Sequence, residues 1–297
     1  MKKFIRVVKI NLPALVITFG TFTFSLTVFS RLFRLAPSPS PRRLVAVPAS
    51  RNIATPSVSA KYIFIEDLTS HQVLYAQGAD DLVAPASTTK MMTALVAVQA
   101  FGLDDVVTIT TSFSEGTNIG LQPGEKMTVE QLIFAMLVQS ANDAAENLAE
   151  HMVGGRTAFI SAMNIQAAAM NLTHTRFVNP TGLDEDGHYS SATDLTRIAD
   201  TLMKNPKLAR IASAENVALI EGQSHTGRLL TNSNSLLGKI PGVLGVKTGF
   251  TDKAGQALVT LIDRGGHPLI ISILGSTDRT TDTERLINWI YQNFSWE

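Results

Sequence analysis

The sequence predicts an α+β fold, an antiparallel sheet packed with helices plus an all-helical region, preceded by an N-terminal transmembrane helix. Three observations carry this. Residues 10–30 are apolar and uncharged. Residues 87–206 hold helical periodicity and capping signals. Short β-branched runs lie near both ends of the remaining chain, at 61–76 and 245–276. Such runs flanking a helical middle close one sheet from distant parts of the chain.

The elements follow in order. Ile10–Ser30 has 21 residues without a charge, which as a helix span roughly 31 Å, enough for a bilayer core of about 30 Å. The stretch exceeds an ordinary signal core, and Arg31-Leu32-Phe33-Arg34 follows it, so a retained anchor over residues 1–35 is favoured over a cleaved signal. Residues 36–56 carry Pro37, Pro39, Pro41, Pro48 and Pro56 among Ser, Ala and Arg, and read as an extended tether. The remaining residues, 57–297, form the folded domain.

Within that domain, Lys61–Glu66 and Gln72–Ala76 read as a first hairpin. Ser87–Phe101 reads as a helix closed by Gly102. Thr128-Val129-Glu130-Gln131 is a capping box opening a helix to about Val138, and Asn142–Met152 is a further helix ended by Gly154-Gly155. Arg156–Met170 is helical by pattern. Ser191-Ala192-Thr193-Asp194 is a second capping box, before a helix that stops near Pro206. Gly245–Phe250, Gln256–Asp263 and Pro268–Ser276 are consecutive antiparallel strands, the last two joined through Arg264-Gly265-Gly266. An amphipathic helix with Leu286, Ile287, Trp289, Ile290 and Phe294 ends the chain.

Charge divides along the same boundary. The chain has 25 Lys+Arg and 25 Asp+Glu, yet residues 1–51 hold nine bases and no acid, leaving 25 − 9 = 16 bases against 25 acids, a net of −9, in the rest. An acidic domain argues against nucleic-acid binding. There is no cysteine, which excludes disulfides, thiolate zinc sites and a cysteine nucleophile. The six histidines show no metal-ligand spacing, and neither a metal nor a cofactor is expected.

Three short motifs carry chemistry. Ser87 and Lys90 stand three apart at a helix start, so both side chains share one face. Lys90 accepts the Ser87 proton only as a free amine, which requires burial or a second cation to lower its pKa from about 10.4. Ser140-Ala141-Asn142 lies in the break between two helices, where a hydroxyl and an amide can relay a proton and hold a peptide group. Lys247-Thr248-Gly249 interrupts an apolar strand, as expected of a sheet edge beside a cleft. There Lys247 and Thr248 are suited to a substrate carboxylate, Gly249 permits close backbone approach, and Lys247 supplies the second cation. Singly, each triplet is common.

Jointly, in this order and 53 and 107 residues apart, they resemble the motif set of active-site serine penicillin-recognising enzymes. Ile119–Gly124, Asn179–Asp184 and Val246–Gly255 extend the resemblance to low-molecular-mass penicillin-binding proteins, specifically D-alanyl-D-alanine carboxypeptidases of serine peptidase family S11. The resemblance covers about Ser57–Phe294. It implies a β-lactamase/DD-peptidase-like fold, with Ser87 as the acylated nucleophile, Lys90 as general base and Ser140 as proton shuttle. Asn142 would orient the substrate, Lys247 and Thr248 would bind its terminal carboxylate, and the backbone N–H groups of Ser87 and Phe250 would form the oxyanion hole. It also implies peptidoglycan stem peptides as substrate, β-lactams as inhibitors, and an extracytoplasmic location at the membrane. Phe250 departs from relatives that carry His after Lys-Thr-Gly. A DD-endopeptidase and a catalytically silent peptidoglycan-binding module are the alternatives. The absence of Glu-x-x-Leu-Asn argues against a class A β-lactamase. Arg279, near the last strand, is within reach of the substrate carboxylate but is favoured as solvated, and Asp184-Glu185-Asp186 reads as a solvated acidic loop that can border the cleft.

Overall fold

The structure, a computed structural model, describes residues 46–220 and 226–296. The expected anchor over 1–35 and the first part of the tether lie outside the described residues. Among those described, no helix is long and apolar enough to cross a membrane.

In chain order the elements are β1 (Pro48–Ser50), β2 (Tyr62–Asp67) and β3 (Val73–Gln77), then a 3-10 turn (Ala86–Thr89) running directly into α1 (Lys90–Ala100). There follow β4 (Val106–Thr108), β5 (Lys126–Thr128), α2 (Val129–Val138), α3 (Asn142–His151), α4 (Gly155–Ala169), α5 (Ala192–Lys204) and α6 (Pro206–Ala212). The chain continues as β6 (Asn216–Leu219), β7 (Arg228–Thr231), β8 (Val243–Thr251), β9 (Gly255–Arg264), β10 (His267–Ser276), α7 (Arg279–Asn293) and β11 (Phe294–Trp296).

A five-stranded antiparallel sheet of order β3-β2-β10-β9-β8 joins the early hairpin to the late strands. Period-two alternation sends side chains to opposite faces. Leu269, Ile271 and Ile273 of β10 pack with Leu286, Ile287 and Ile290 of α7, while Ile270 and Leu274 belong to the larger core with the other helices. On that second face Ser272 finds a partner, its Oγ 2.7 Å from Thr196 Oγ1 of α5. Strand β10 therefore reads as a continuous apolar run because both faces are covered. The turn between β9 and β10 has Gly265 and Gly266 at φ 68° and 83°, a conformation that favours glycine.

The helical layer centres on α2, whose Leu132, Ile133, Ala135, Met136, Leu137 and Val138 are all buried. Its capping box closes at both bonds: Thr128 Oγ1 accepts from Gln131 N at 3.2 Å, and Gln131 Oε1 accepts from Thr128 N at 2.8 Å.

Four local details differ from the sequence reading. Helix α1 ends because Phe101 turns extended at φ −133°, not through a left-handed Gly102. Gly154 and Gly155, at φ 90° and 67°, open α4 after a turn rather than ending α3. The Ser191 box is half made: Ser191 Oγ accepts from Asp194 N, but the Asp194 carboxylate turns to His174 N and Thr175 Oγ1. Pro206 stops one helix and begins another, since the missing N–H costs nothing at a first helical position.

The end of the expected tether is bound to the domain. Residues Pro48–Ser50 pair with Phe294–Trp296. From there the chain is laid along α7. Asn293 O accepts from Arg51 N and its Oδ1 from Ile53 N, Trp289 Nε1 donates to Ile53 O, and Arg285 Nη1 donates to Ser57 O. Finally, the Asp282 carboxylate accepts from Ser59 N, Ser59 Oγ and Ala60 N.

Candidate active site

Among the described residues strand β8 pairs with β9 alone, at the edge of the sheet, and the 3-10 turn before α1 packs beside its other side. The approach is close. A Cβ on Gly249 would lie 3.0 Å from Ala86 Cβ and 3.1 Å from Ser87 N. Gly182 is tighter still: a Cβ there would sit 1.8 Å from Ala86 O, so only glycine fits. Asn179 Oδ1 shapes that loop by accepting from Thr181 N, Thr181 Oγ1 and Gly182 N.

Lys90 is the first residue of α1 and fully buried. Its Nζ lies 2.9 Å from Ser87 Oγ, 2.6 Å from Asn142 Oδ1 and 2.7 Å from Thr181 O. Burial drives its pKa well below the ordinary lysine value, and the Lys247 charge adds to this; Glu146 and Asp143 act the other way. Lys247 is also buried, its Nζ donating to Thr248 O at 3.1 Å. Burial first, and then Arg279, lowers its pKa to about 7.

Between α2 and α3 the chain turns through Ser140 at φ 68°, a left-handed backbone uncommon outside glycine, and Asn142 then opens α3. Asn142 Nδ2 donates to Glu115 O at 2.9 Å, which leaves its Oδ1 facing Lys90. A Cβ on Gly116 would lie 2.5 Å from that Nδ2, so the loop closes over the amide only as glycine.

These elements enclose a cleft of about 380 Å³ whose lining includes Ser87, Ser140, Asn142, Thr248, Gly249 and Phe250. Six of the eight residues expected at the site thus line one cavity; Lys90 and Lys247 lie behind its wall. Phe250 stays 60% exposed at the rim. A larger hollow of about 490 Å³ lies near Phe64, Glu66 and Arg197 and contains none of the motif residues. Volume does not mark this site; convergent polar chemistry does. Among the described residues, no cluster of three or more His, Asp or Glu could hold a metal.

Four contributors stand outside the expected site residues. Arg279, read there as solvated, lines the cleft half-buried and donates to Gly249 O at 2.8 Å. Ser233, also in the lining, has its Oγ 2.6 Å from Thr248 Oγ1. It is held by Asn232, which donates to Ala214 O and accepts from Asn234 N, and by Asn234, which donates to Gly245 O. His188 is buried against the 3-10 turn that carries Ser87: Nδ1 accepts from Val178 N at 3.3 Å, so Nε2–H donates to Thr89 Oγ1 at 2.9 Å. Asp184, expected as solvated, caps the β8–β9 turn through Thr251 Oγ1 and Lys253 N. The doubled asparagines around Ser233 were a usable signal; the place of Arg279 near the last strand puts it within reach of the substrate carboxylate, but the sequence favours a solvated role.

Comparison with known proteins gives the class. The model of the D-alanyl-D-alanine carboxypeptidase family, peptidase family S11, matches residues 49–278, and the chain belongs to that family. Among individual relatives it is 31% identical over 245 residues to the D-alanyl-D-alanine carboxypeptidase DacF of Bacillus subtilis, a match covering 79% of this chain and 63% of that protein. With the D-alanyl-D-alanine carboxypeptidase DacB2 of Mycobacterium tuberculosis it shares 35% over 227 residues, covering 75% of this chain and 77% of the relative. A solved structure of a Streptomyces DD-transpeptidase superposes with a TM-score of 0.76 at 30% identity, over 81% of this chain and all of that one.

Proposed function

We propose that the protein is a serine-type DD-carboxypeptidase that removes the terminal D-alanine from peptidoglycan stem peptides through an acyl-enzyme on Ser87. One observation carries the reading: a buried lysine amine of lowered pKa, 2.9 Å from a serine hydroxyl at the wall of an open cleft. As a free amine, Lys90 donates two N–H bonds, to Asn142 Oδ1 and Thr181 O, and its lone pair then faces Ser87.

In this reading Ser87 Oγ attacks the carbonyl carbon while its proton passes to Lys90 Nζ. The oxyanion is held by the N–H groups of Ser87 and Phe250, donors that typically lower such barriers by about 3–4 kcal/mol each. Ser140 passes the proton on to the leaving D-alanine nitrogen, and water then hydrolyses the ester. Thr248 and Arg279 face the terminal carboxylate from within the cleft, with Lys247 adding its field from behind. Asn142 and Gly249 hold the peptide against the β8 edge. A β-lactam presents the same carboxylate and carbonyl and acylates the same serine.

Residues 1–35 serve as a membrane anchor and the tether from residue 36 up to β1 as the connection to the domain, putting the enzyme on the outer side of the cytoplasmic membrane. The apolar length of residues 10–30 and the peptidoglycan substrate support this.

The test is labelling of the full chain, in its membrane fraction, by a fluorescent penicillin, together with D-alanine release from a diacyl-D-Ala-D-Ala peptide. Both should vanish in Ser87→Ala. Labelling that survives that change, or enzyme found only in the soluble fraction, would count against the nucleophile or the anchor respectively. A cross-linked dimer as substrate ranks endopeptidase against carboxypeptidase activity.

A further inference from the structure

Glu146 is a buried charge that the proposed reaction leaves unused. It stands four residues after Asn142 on α3 and so leaves the same helix face. Asn142 is the residue whose Oδ1 touches Lys90 Nζ at 2.6 Å. Glu146 is only 7% exposed, and Arg156 Nε donates to its carboxylate at 2.9 Å. Arg156 is the second residue of α4, and that helix has no acid in its first turn. A cation there opposes the helix dipole. Helix stability gives no reason for an arginine at this position; the buried carboxylate does.

We propose that Glu146, held by Arg156, is a positioning residue for charge on Lys90, favouring the ammonium that forms when Ser87 is acylated. The inference rests on the reading of Ser87 and Lys90 given above. As the Oγ–carbon bond forms, the carbonyl electron pair moves to oxygen and the serine proton moves to Nζ, so positive charge appears inside a wall already holding a second lysine. Lys247 faces that charge from β8, Asp143 and Glu146 from α3. Asp143 is engaged with the backbone N–H groups of Ile119 and Leu121. Around Glu146 stand Arg156 from α4, Glu150 from its own helix and Lys90 itself. Burial pushes the Glu146 carboxyl up, and Arg156 opposes that shift. On Lys90 the carboxylate works against burial and against Lys247.

The test is the pH profile of penicillin acylation of the full chain. Acylation requires the free amine, so the rate rises with pH through the Lys90 pKa. Glu146→Gln should move this acid limb to lower pH by about one unit, as expected for losing a charge across a partly shielded interior. It should also slow the plateau several-fold, because a weaker base takes the proton. Glu146→Asp should restore the limb. A limb that stays in place while the plateau falls, or one that moves upward, overturns the proposal. If the glutamine variant fails to fold, Glu146→Val with Arg156→Leu replaces the pair by apolar groups and reads the same limb. A wild-type chain that penicillin does not label would instead sink the functional reading.

Discussion

Ser233 Oγ lies 2.6 Å from Thr248 Oγ1 across the floor of the cleft. A carboxylate only accepts hydrogen bonds, so under the proposed role of Thr248 its single proton goes to the substrate. Thr248 donates it when its own oxygen accepts from Ser233. Ser233→Ala should therefore raise KM for a substrate with a free terminal carboxylate about fivefold, the effect of one net hydrogen bond of about 1 kcal/mol. An amidated analogue should be unaffected. Steady-state kinetics on the two substrates checks this, and equal losses on both would contradict the assignment.

Arg279 stands at the start of α7, donates one N–H to Gly249 O and lines the cleft. Arg279→Ala should weaken the same free-carboxylate substrate tenfold or more, since hydrogen bonds to charged groups contribute about 1.5–3 kcal/mol. An amidated substrate, measured in parallel, should lose much less.

His188, bonded to Thr89 directly before Lys90, gives the fold a pH dependence of its own. Burial lowers its pKa from 6.5 to about 4, with Glu185 and Asp184 opposing weakly. The folded state thus resists a proton that the unfolded chain takes up. Stability from this residue is complete above about pH 6.5 and declines as pH falls toward 4, by up to about 3 kcal/mol. Denaturant titrations of wild type and His188→Gln at pH 7 and pH 4.5 should show the slope in wild type alone.

Asp282 is buried and accepts from Ser59 N, Ser59 Oγ, Ala60 N and Ser276 Oγ. Asp282→Ala strands these donors and should cost about 3 kcal/mol or more. Thermal unfolding reads the loss, and protease cleavage near residues 51–60 should appear in the variant first.

The sheet was legible because β8, β9 and β10 are long, apolar and separated by glycine turns, and the capping box of Thr128 marked α2 to the residue. Ser87, Lys90, Ser140, Asn142 and Lys247 were legible because their spacing forms a joint pattern. What stayed hidden depends on contacts that spacing does not encode. Ser233 and Thr248 are 15 residues apart, joined by a loop that asparagine side chains shape. Lys90 meets the carbonyl of Thr181, an acceptor every residue carries. Residues 51–56 read as the end of a tether because they continue a proline-, serine- and arginine-bearing stretch, yet Arg51 and Ile53 bind through backbone atoms, to which composition is blind.

That binding has a mechanical consequence. The segment meets α7 at Asn293, Trp289, Arg285 and Asp282 in turn, about once per helical turn. Helix α7 is 15 residues long, roughly 22 Å, and its near end carries Arg279. Tension entering the domain at Pro48 loads these attachments one after another, beginning with the β1–β11 pair and ending at Asp282. The segment should peel rather than tear: single-molecule pulling from the N-terminal side should record short, successive releases before the sheet yields. One simultaneous rupture would rule that order out. The attachment nearest the cleft is the last to feel the load, so a pull on the N-terminal segment reaches the serine only after every earlier attachment has given way.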